Sequence, residues 1–392
     1  MNEFFADFHI HIGRTKSGKP VKITASRDLT LTNILEHSKN RKGIDIVGVI
    51  DSHSPDVQDE IEALCGSGRL EELAGGGLLF EKRTALLLGS ELEIYDAHCQ
   101  GPIHVLVFMP TLKRMREFTQ WLATCMKNIQ LSSQRIYVTG RDLQKRVKEL
   151  EGLFIPAHVF TPFKSLYGKG VRFSLEEVFA PDLIDAIELG LSSDTYMVEN
   201  IPELYRYPFL TNSDAHSVGK IAREYQKLRL RTPNFSEIKK ALTEEGGRKI
   251  VANYGLDPKL GKYHDTTCQT CYMHFPQFHE QCPNCGSKRM VKGVAERIAE
   301  LSADGPLTPP RRPPYIHQVP LDFLPGVGPK TLHKLLDHFE TEMNILHRAS
   351  FADLVQVVHE KIARMIIKMR MGELKVAAGG GGRYGTVSSG ED

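Results

Sequence analysis

Short apolar runs alternate along the first two thirds of the chain with stretches whose apolar residues recur at helical spacing. The runs fall at 3–10, 44–50, 84–88, 103–109, 153–156, 183–189 and 208–210, and the helical stretches include 29–40, 112–128, 141–150 and 174–179. Strand–helix alternation of this kind predicts a parallel α/β architecture. The residues that follow the runs are the informative ones. The first run ends in His9-Ile10-His11, the second leads into Asp51-Ser-His53, and the third into Gly-Ser-Glu91. His104 opens the fourth, His158 follows the fifth, and Asp214-Ala-His216 follows the last. Alternation in a strand puts His9 and His11 on one face and Phe8 and Ile10 on the other. Side chains that are hard to bury thus recur at strand ends, where barrel enzymes carry their chemistry. Imidazoles mixed with carboxylates are the ligand types of a divalent metal centre and suit Zn²⁺, Mn²⁺ or Fe²⁺ better than Mg²⁺.

Beyond residue 255 the pattern changes. Cys268-Gln-Thr-Cys271 and Cys282-Pro-Asn-Cys285 are two Cys-x-x-Cys knuckles, the spacing of a closed, tetrahedral structural zinc site. A segment this small has little core, so the metal is expected to supply much of its folding energy. A Pro-rich stretch, 303–314, reads as a spacer. After it comes Leu-Pro-Gly326-Val-Gly328-Pro-Lys330, in which the glycines permit a tight turn and Pro329 suits a first helical position. The amides that follow can take a phosphate. A single helical run is expected over 351–371. The glycine run 379–382 before Arg383 and Tyr384 reads either as a phosphate cradle or as a loose terminus. The expected units are a barrel over 1–255, a four-cysteine zinc ribbon over 256–300, a linker over 301–318 and a helix-hairpin-helix-like unit over 319–392.

Composition narrows the class. Hydrophobic residues make up 41% and charged residues 25% of 392, as in ordinary globular chains, and the net charge of +2 neither demands nor excludes nucleic acid. No apolar run is long enough to span a bilayer. The first ten residues lack the basic and apolar regions of a signal peptide, so a cytoplasmic location is expected. Three scattered cysteines beside four at metal spacing argue against a disulfide framework.

His9-x-His11, Asp51-x-His53, Glu91, His104, His158 and Asp214-x-His216 resemble the motifs of the PHP (polymerase and histidinol phosphatase) phosphoesterase family. The resemblance implies a distorted, seven-stranded β/α barrel of TIM-like type holding two to three divalent ions (Zn, Mn, Fe or Mg), besides one structural zinc in the ribbon. It implies that His9, His11, Glu91 and Asp214 hold one ion. Glu91, His104 and His158 would hold a second, with Glu91 bridging, and His53 and His216 a third. The family's further histidine after His-x-His is missing between Ile12 and Glu36, and Asp51 is the substitute at hand. Lys22 and Arg27, Lys164 and Lys169, and Arg223 follow these motifs and read as phosphate clamps, with Gly326, Gly328 and Lys330 as backbone contacts in the hairpin. Glu91, Asp214, His9 and His11 are the expected catalytic centre.

The order barrel, ribbon, hairpin resembles DNA repair endonucleases built on that family's barrel. What this implies is hydrolysis of the phosphodiester 5′ of a deaminated base or an abasic site. The implied partners are DNA, duplex or single-stranded, and a replication clamp or another repair protein, but no membrane. A small-ester phosphatase, a 3′–5′ exonuclease and a non-enzymatic DNA-binding module are the rival readings.

Overall fold

The computed structural model describes residues 1–305 and 307–388. Pro306, in the expected linker, and 389–392, at the end of the expected last unit, lie outside the described residues. Seven strands matter for the site: β1 (Asn2–Ile10), β2 (Ile46–Val49), β3 (Thr84–Ile94), β4 (Ile103–Met109), β5 (Leu153–Pro156), β6 (Ile187–Glu188) and β7 (Phe209–Leu210). β1, β2 and β3 pair in parallel, as do β6 and β7. β4 is antiparallel to both β3 and β5. The sheet is therefore mixed rather than parallel, because the short connection between Ile94 and Ile103 holds no crossover helix. Pairs of backbone bonds link the remaining neighbours: Val159 N donates to Glu188 O and Asp185 N to Phe154 O, both at 3.0 Å, while Ala215 N donates to His9 O at 3.0 Å and His11 N to Ala215 O at 3.1 Å. A core of Ala6, Phe8, Ile46, Leu87, Leu106, Phe108, Ile155 and Leu210 draws on strands all around this ring and so lies within it.

Two local departures bear on the site. β3 continues through Glu91 to Ile94, so Glu91 projects from the body of a strand. The pairing of β1 with β2 shifts register between Asp7 and Ile10. As a result Phe8 joins the inner cluster while Ile10 packs with Val47 and Leu88 in the other, and strict alternation fails. Such bulges re-aim side chains.

Two antiparallel strands, β8 (Tyr225–Leu230) and β9 (Lys249–Gly255), extend the sheet beyond β1. β10 (Tyr315–His317) adds in parallel to β9, so the stretch expected to be a spacer is laid along the barrel. Arg312 fixes it: its guanidinium donates to Leu204 O and Tyr207 O, both at 2.7 Å, and lies 3.6 Å from the Phe209 ring. The cysteine knuckles sit around a small sheet of Thr266–Cys268, His274–Phe275 and Met290–Val291. The helical end begins with a short turn, Leu321–Phe323, followed by helix Pro329–Phe339. The run over 351–371 is broken into Phe351–Val357 and Glu360–Arg370, with Val358 extended between them and His359 capping the second helix. Adjacent β-branched residues and a side-chain cap account for the break. No helix among the described residues is long and apolar enough to cross a membrane.

Candidate active site

Nδ1 of His9 is held by both carboxylate oxygens of Glu188, at 3.0 and 3.1 Å. This turns Nε2 toward Asp214 Oδ1 (3.4 Å) and Glu91 Oε1 (3.5 Å). Asp51 orients His11 in the same way: Oδ2 lies 3.2 Å from Nδ1 and also accepts from Ile12 N at 2.7 Å. His11 Nε2 then stands 3.6 Å from Asp214 Oδ1 and from Glu91 Oε2. Opposite, His104 Nδ1 lies 2.8 Å and His158 Nε2 3.4 Å from Glu91 Oε1. Ligand atoms of His9, His11 and Asp214 lie within 4.8 Å of one another, as do those of Glu91, His104 and His158. Glu91 reaches both groups.

The fit to divalent ions rests on unpaired atoms. Among the described residues the Nε2 atoms of His9, His11 and His104 are buried without a hydrogen-bond partner, which is costly unless something else occupies them. Burial opposes ionisation of Glu91, yet His104 and Lys22 hold its carboxyl well below the usual range. Burial likewise opposes the charge on Asp214, and His9, His11 and His216 hold it down. Both groups are thus poised as anions, the form that binds a cation.

Backbone strain accompanies the geometry. His158 (φ 31°) and Asp214 (φ 46°) occupy the left-handed region, which side chains with a Cβ seldom adopt. Gly190, at φ 86°, lies where a Cβ would come within 2.9 Å of His158 Cβ, so only glycine lets that histidine approach.

The remaining expected residues divide. His53 Nε2 lies 3.3 Å from Leu131 O, and His216 Nδ1 lies 3.0 Å from Asp214 O. Among the described residues neither joins a cluster of three ligands. Asp51 orients His11 instead of standing free. Lys22 is at the centre, 3.2 Å from Glu91 Oε2. Lys164 pairs with Glu93 at 2.9 Å, and Arg27 and Lys169 are exposed. Arg223 is engaged within the protein, with Nε donating to Ser213 O at 2.7 Å. In the segment expected to form a hairpin, Gly326 has φ 86°, whereas Gly328 is extended and caps the helix; both are exposed with Lys330.

Sequence reasoning missed Glu188, Asn212 and the serine pair Ser132 and Ser133. Asn212 Nδ2 donates to Glu188 Oε1 at 3.1 Å, and Ser132 Oγ lies 3.1 Å from His11 Nδ1. A carboxylate inside the apolar run 183–189 was the available signal for Glu188. The serines sit on a loop with no pattern to mark them.

A cavity of about 730 Å³ opens over both clusters, lined by Lys22, Phe163, Lys164, Tyr263, Lys262 and Tyr384 among others. Farther off, the sulfurs of Cys268, Cys271, Cys282 and Cys285 lie within 4.8 Å of one another, a set that fits one tetrahedral zinc.

The chain is 56% identical to the uncharacterized protein YqxK of Bacillus subtilis over 387 residues, 99% of this chain and all of the relative. The crystal structure of the lesion-specific endonuclease PfuEndoQ from Pyrococcus furiosus superposes with a TM-score of 0.84 at 32% identity, covering 98% of this chain and 95% of that one. Endonuclease Q in complex with a 27-mer duplex bearing an abasic lesion gives 0.84 at 31% identity, over 98% and 96% of the chains. No protein-family model matches. A barrel whose rim gathers two histidine–carboxylate clusters around one shared glutamate, matched along its length to these structures, is a metal-dependent phosphodiesterase of the PHP class. Ribbon and helical end are included in the match. The chain belongs to the endonuclease Q family.

Proposed function

We propose that the protein is a DNA repair endonuclease that hydrolyses the phosphodiester on the 5′ side of a deaminated base (uracil, hypoxanthine or xanthine) or of an abasic site. The observation that carries this is the pair of ligand clusters under a cavity walled by Lys22, Lys262, Phe163 and Tyr384, in a chain similar end to end to a lesion-specific endonuclease. His9, His11, Asp214 and Glu91 would hold one divalent ion, and Glu91, His104 and His158 the other. Bound there, such ions polarise a phosphoryl oxygen and make a water more acidic.

The chain's own residues do the rest. Glu188 and Asp51 fix the tautomer and angle of His9 and His11. Lys22 brings positive charge to the same floor, where a phosphodiester would bring negative charge. The lesion is read outside the stack, because a barrel mouth cannot examine a base inside a duplex. Extrusion costs a few kcal/mol and least for mispaired bases. Deamination turns an amino donor into a carbonyl acceptor, and the loops around Ala25 to Arg27 and Thr161 to Gly170 would test that edge. One zinc at the four cysteines would be structural.

The test is a labelled duplex with one deoxyuridine or deoxyinosine, incubated with Mn²⁺ or Mg²⁺ and resolved on a sequencing gel. A single nick is expected, leaving a 3′-hydroxyl and a 5′-phosphate on the damaged nucleotide. A cut on the 3′ side, a ladder of exonuclease products or equal cutting of undamaged DNA overturns the proposal.

A further inference from the structure

The glycine run near the end of the chain is neither a phosphate cradle nor a loose terminus. Strands Lys375–Ala377 and Thr386–Ser388 pair antiparallel, and the loop between them folds onto the segment that joins barrel to ribbon. Gly379 N donates to Lys259 O at 2.7 Å, Gly382 N to Lys262 O at 3.0 Å and Gly385 N to Leu260 O at 3.0 Å. These amides are therefore occupied. Gly381 and Gly382 have φ of 60° and 95°, and a Cβ on Gly380 would come within 2.5 Å of Thr267 Oγ1. The Arg383 guanidinium stacks 3.7 Å over the Tyr272 ring. Glycines here let a strap lie flat on the ribbon.

The strap delivers one side chain to the active cavity. The Tyr384 hydroxyl accepts from Arg223 Nη1 at 2.5 Å, and its ring lies 4.6 Å from Lys262 Nζ and edge-on to Phe323. Arg223 uses its other donors on the backbone beside a metal-ligand candidate: Nε to Ser213 O at 2.7 Å and Nη2 to Asp214 O at 3.3 Å. Asp214 is the residue held at φ 46°. A strained residue persists only where its surroundings over-determine it. Arg223 contributes to that constraint, beside His216 Nδ1 on the Asp214 carbonyl and the Ala215 bond to His9, and a long flexible side chain does so only if its far end is fixed.

We infer that Tyr384 is a positioning residue: its hydroxyl locks the Arg223 guanidinium, which in turn clamps the Ser213 and Asp214 carbonyls and sets the Asp214 carboxylate toward His9 and His11. The inference rests on the metal-dependent phosphodiesterase reading of this site. It makes the terminal strap part of the active-site wall, built from a segment 161 residues away from the arginine it steadies.

The test is a double-mutant cycle of Tyr384→Phe and Arg223→Gln in the full chain. Mn²⁺ affinity is measured by calorimetry, and kcat and KM are measured on the lesion duplex. Tyr384→Phe keeps the ring and its packing, so ribbon zinc content and melting temperature stay at wild-type values. It should weaken Mn²⁺ binding at least about tenfold, the scale for loss of a supporting contact behind a ligand. kcat should fall with KM nearly unchanged. The double variant should be no worse than Arg223→Gln alone, because both act through one contact. Wild-type Mn²⁺ affinity in Tyr384→Phe, or losses that multiply in the double variant, would overturn the inference. If the wild-type chain nicks no lesion, the proposed function fails, while the Mn²⁺ cycle still decides the role of Tyr384.

Discussion

Glu188 serves two ligands with one carboxylate. It accepts from the His9 ring and, through Oε2, from His158 N at 3.0 Å. Burial opposes its ionisation, and the His9 imidazole holds it below the usual carboxylate range. Glu188→Gln keeps the shape but can no longer anchor the His9 tautomer as an anion. Mn²⁺ affinity should fall about 10- to 100-fold, read by calorimetry; unchanged affinity would leave His9 oriented by packing alone. Glu91→Ala and Asp214→Ala remove charge from the clusters themselves. Both should abolish nicking at saturating metal while duplex binding, followed by gel shift, stays near wild type. Near wild-type nicking by either variant would sink these two ligand assignments.

At the scale of elements, the ribbon and the helical end make separable predictions. The ribbon has three short strands and almost no apolar interior, so its order depends on the four sulfurs. Cys268→Ser with Cys271→Ser should lose one zinc per chain by elemental analysis and expose 256–300 to proteolysis, with the barrel still folded. Unchanged zinc would refute the four-cysteine site. In the helical end, the exposed Lys330 stands in the first turn of helix Pro329–Phe339. Lys330→Gln should weaken duplex binding and lower the salt slope by about one. An unchanged slope would assign this turn to packing.

Across the whole molecule, the helical end is docked on the barrel by a buried aromatic cluster. Phe5, Tyr225 and Tyr254 surround His347, whose Nε2 lies 2.6 Å from the Tyr225 hydroxyl. Nearby, Lys42 pairs with Glu342 at 2.8 Å in a buried bridge. Burial, with Lys227, Arg370 and Arg348 close by, pushes His347 from its ordinary 6.5 down to about 3. Its folded pKa is depressed, so the unfolded chain binds a proton there that the folded chain does not. This contribution to stability is complete above pH 6.5 and is lost as pH falls from 6.5 toward 3. Denaturant melts across that window should show the loss in the wild type and a flatter profile in His347→Phe. An equal slope in both would remove His347 from the docking.

The six candidate ligands that the fold brings together stood out in the sequence because His, Asp and Glu are costly to bury, and their return after successive apolar runs has few structural explanations. The cysteine spacing was legible for the same reason: four thiolates at that interval have one common use. Three things were decided only by tertiary structure. The direction of β4 brings His104, at the start of its strand, to the rim reached by the ends of the others, and pairing direction is a non-local choice that periodicity does not encode. The role of Asp51 as an orienter of His11 depends on a distance across two strands. Glu188 and Tyr384 read as a stray charge in an apolar run and a residue in a glycine-rich tail, because their meaning lies in partners 179 and 161 residues away. Local pattern reports what a segment must bury; which distant atoms it meets is fixed by how the closed sheet and the strap bring them together.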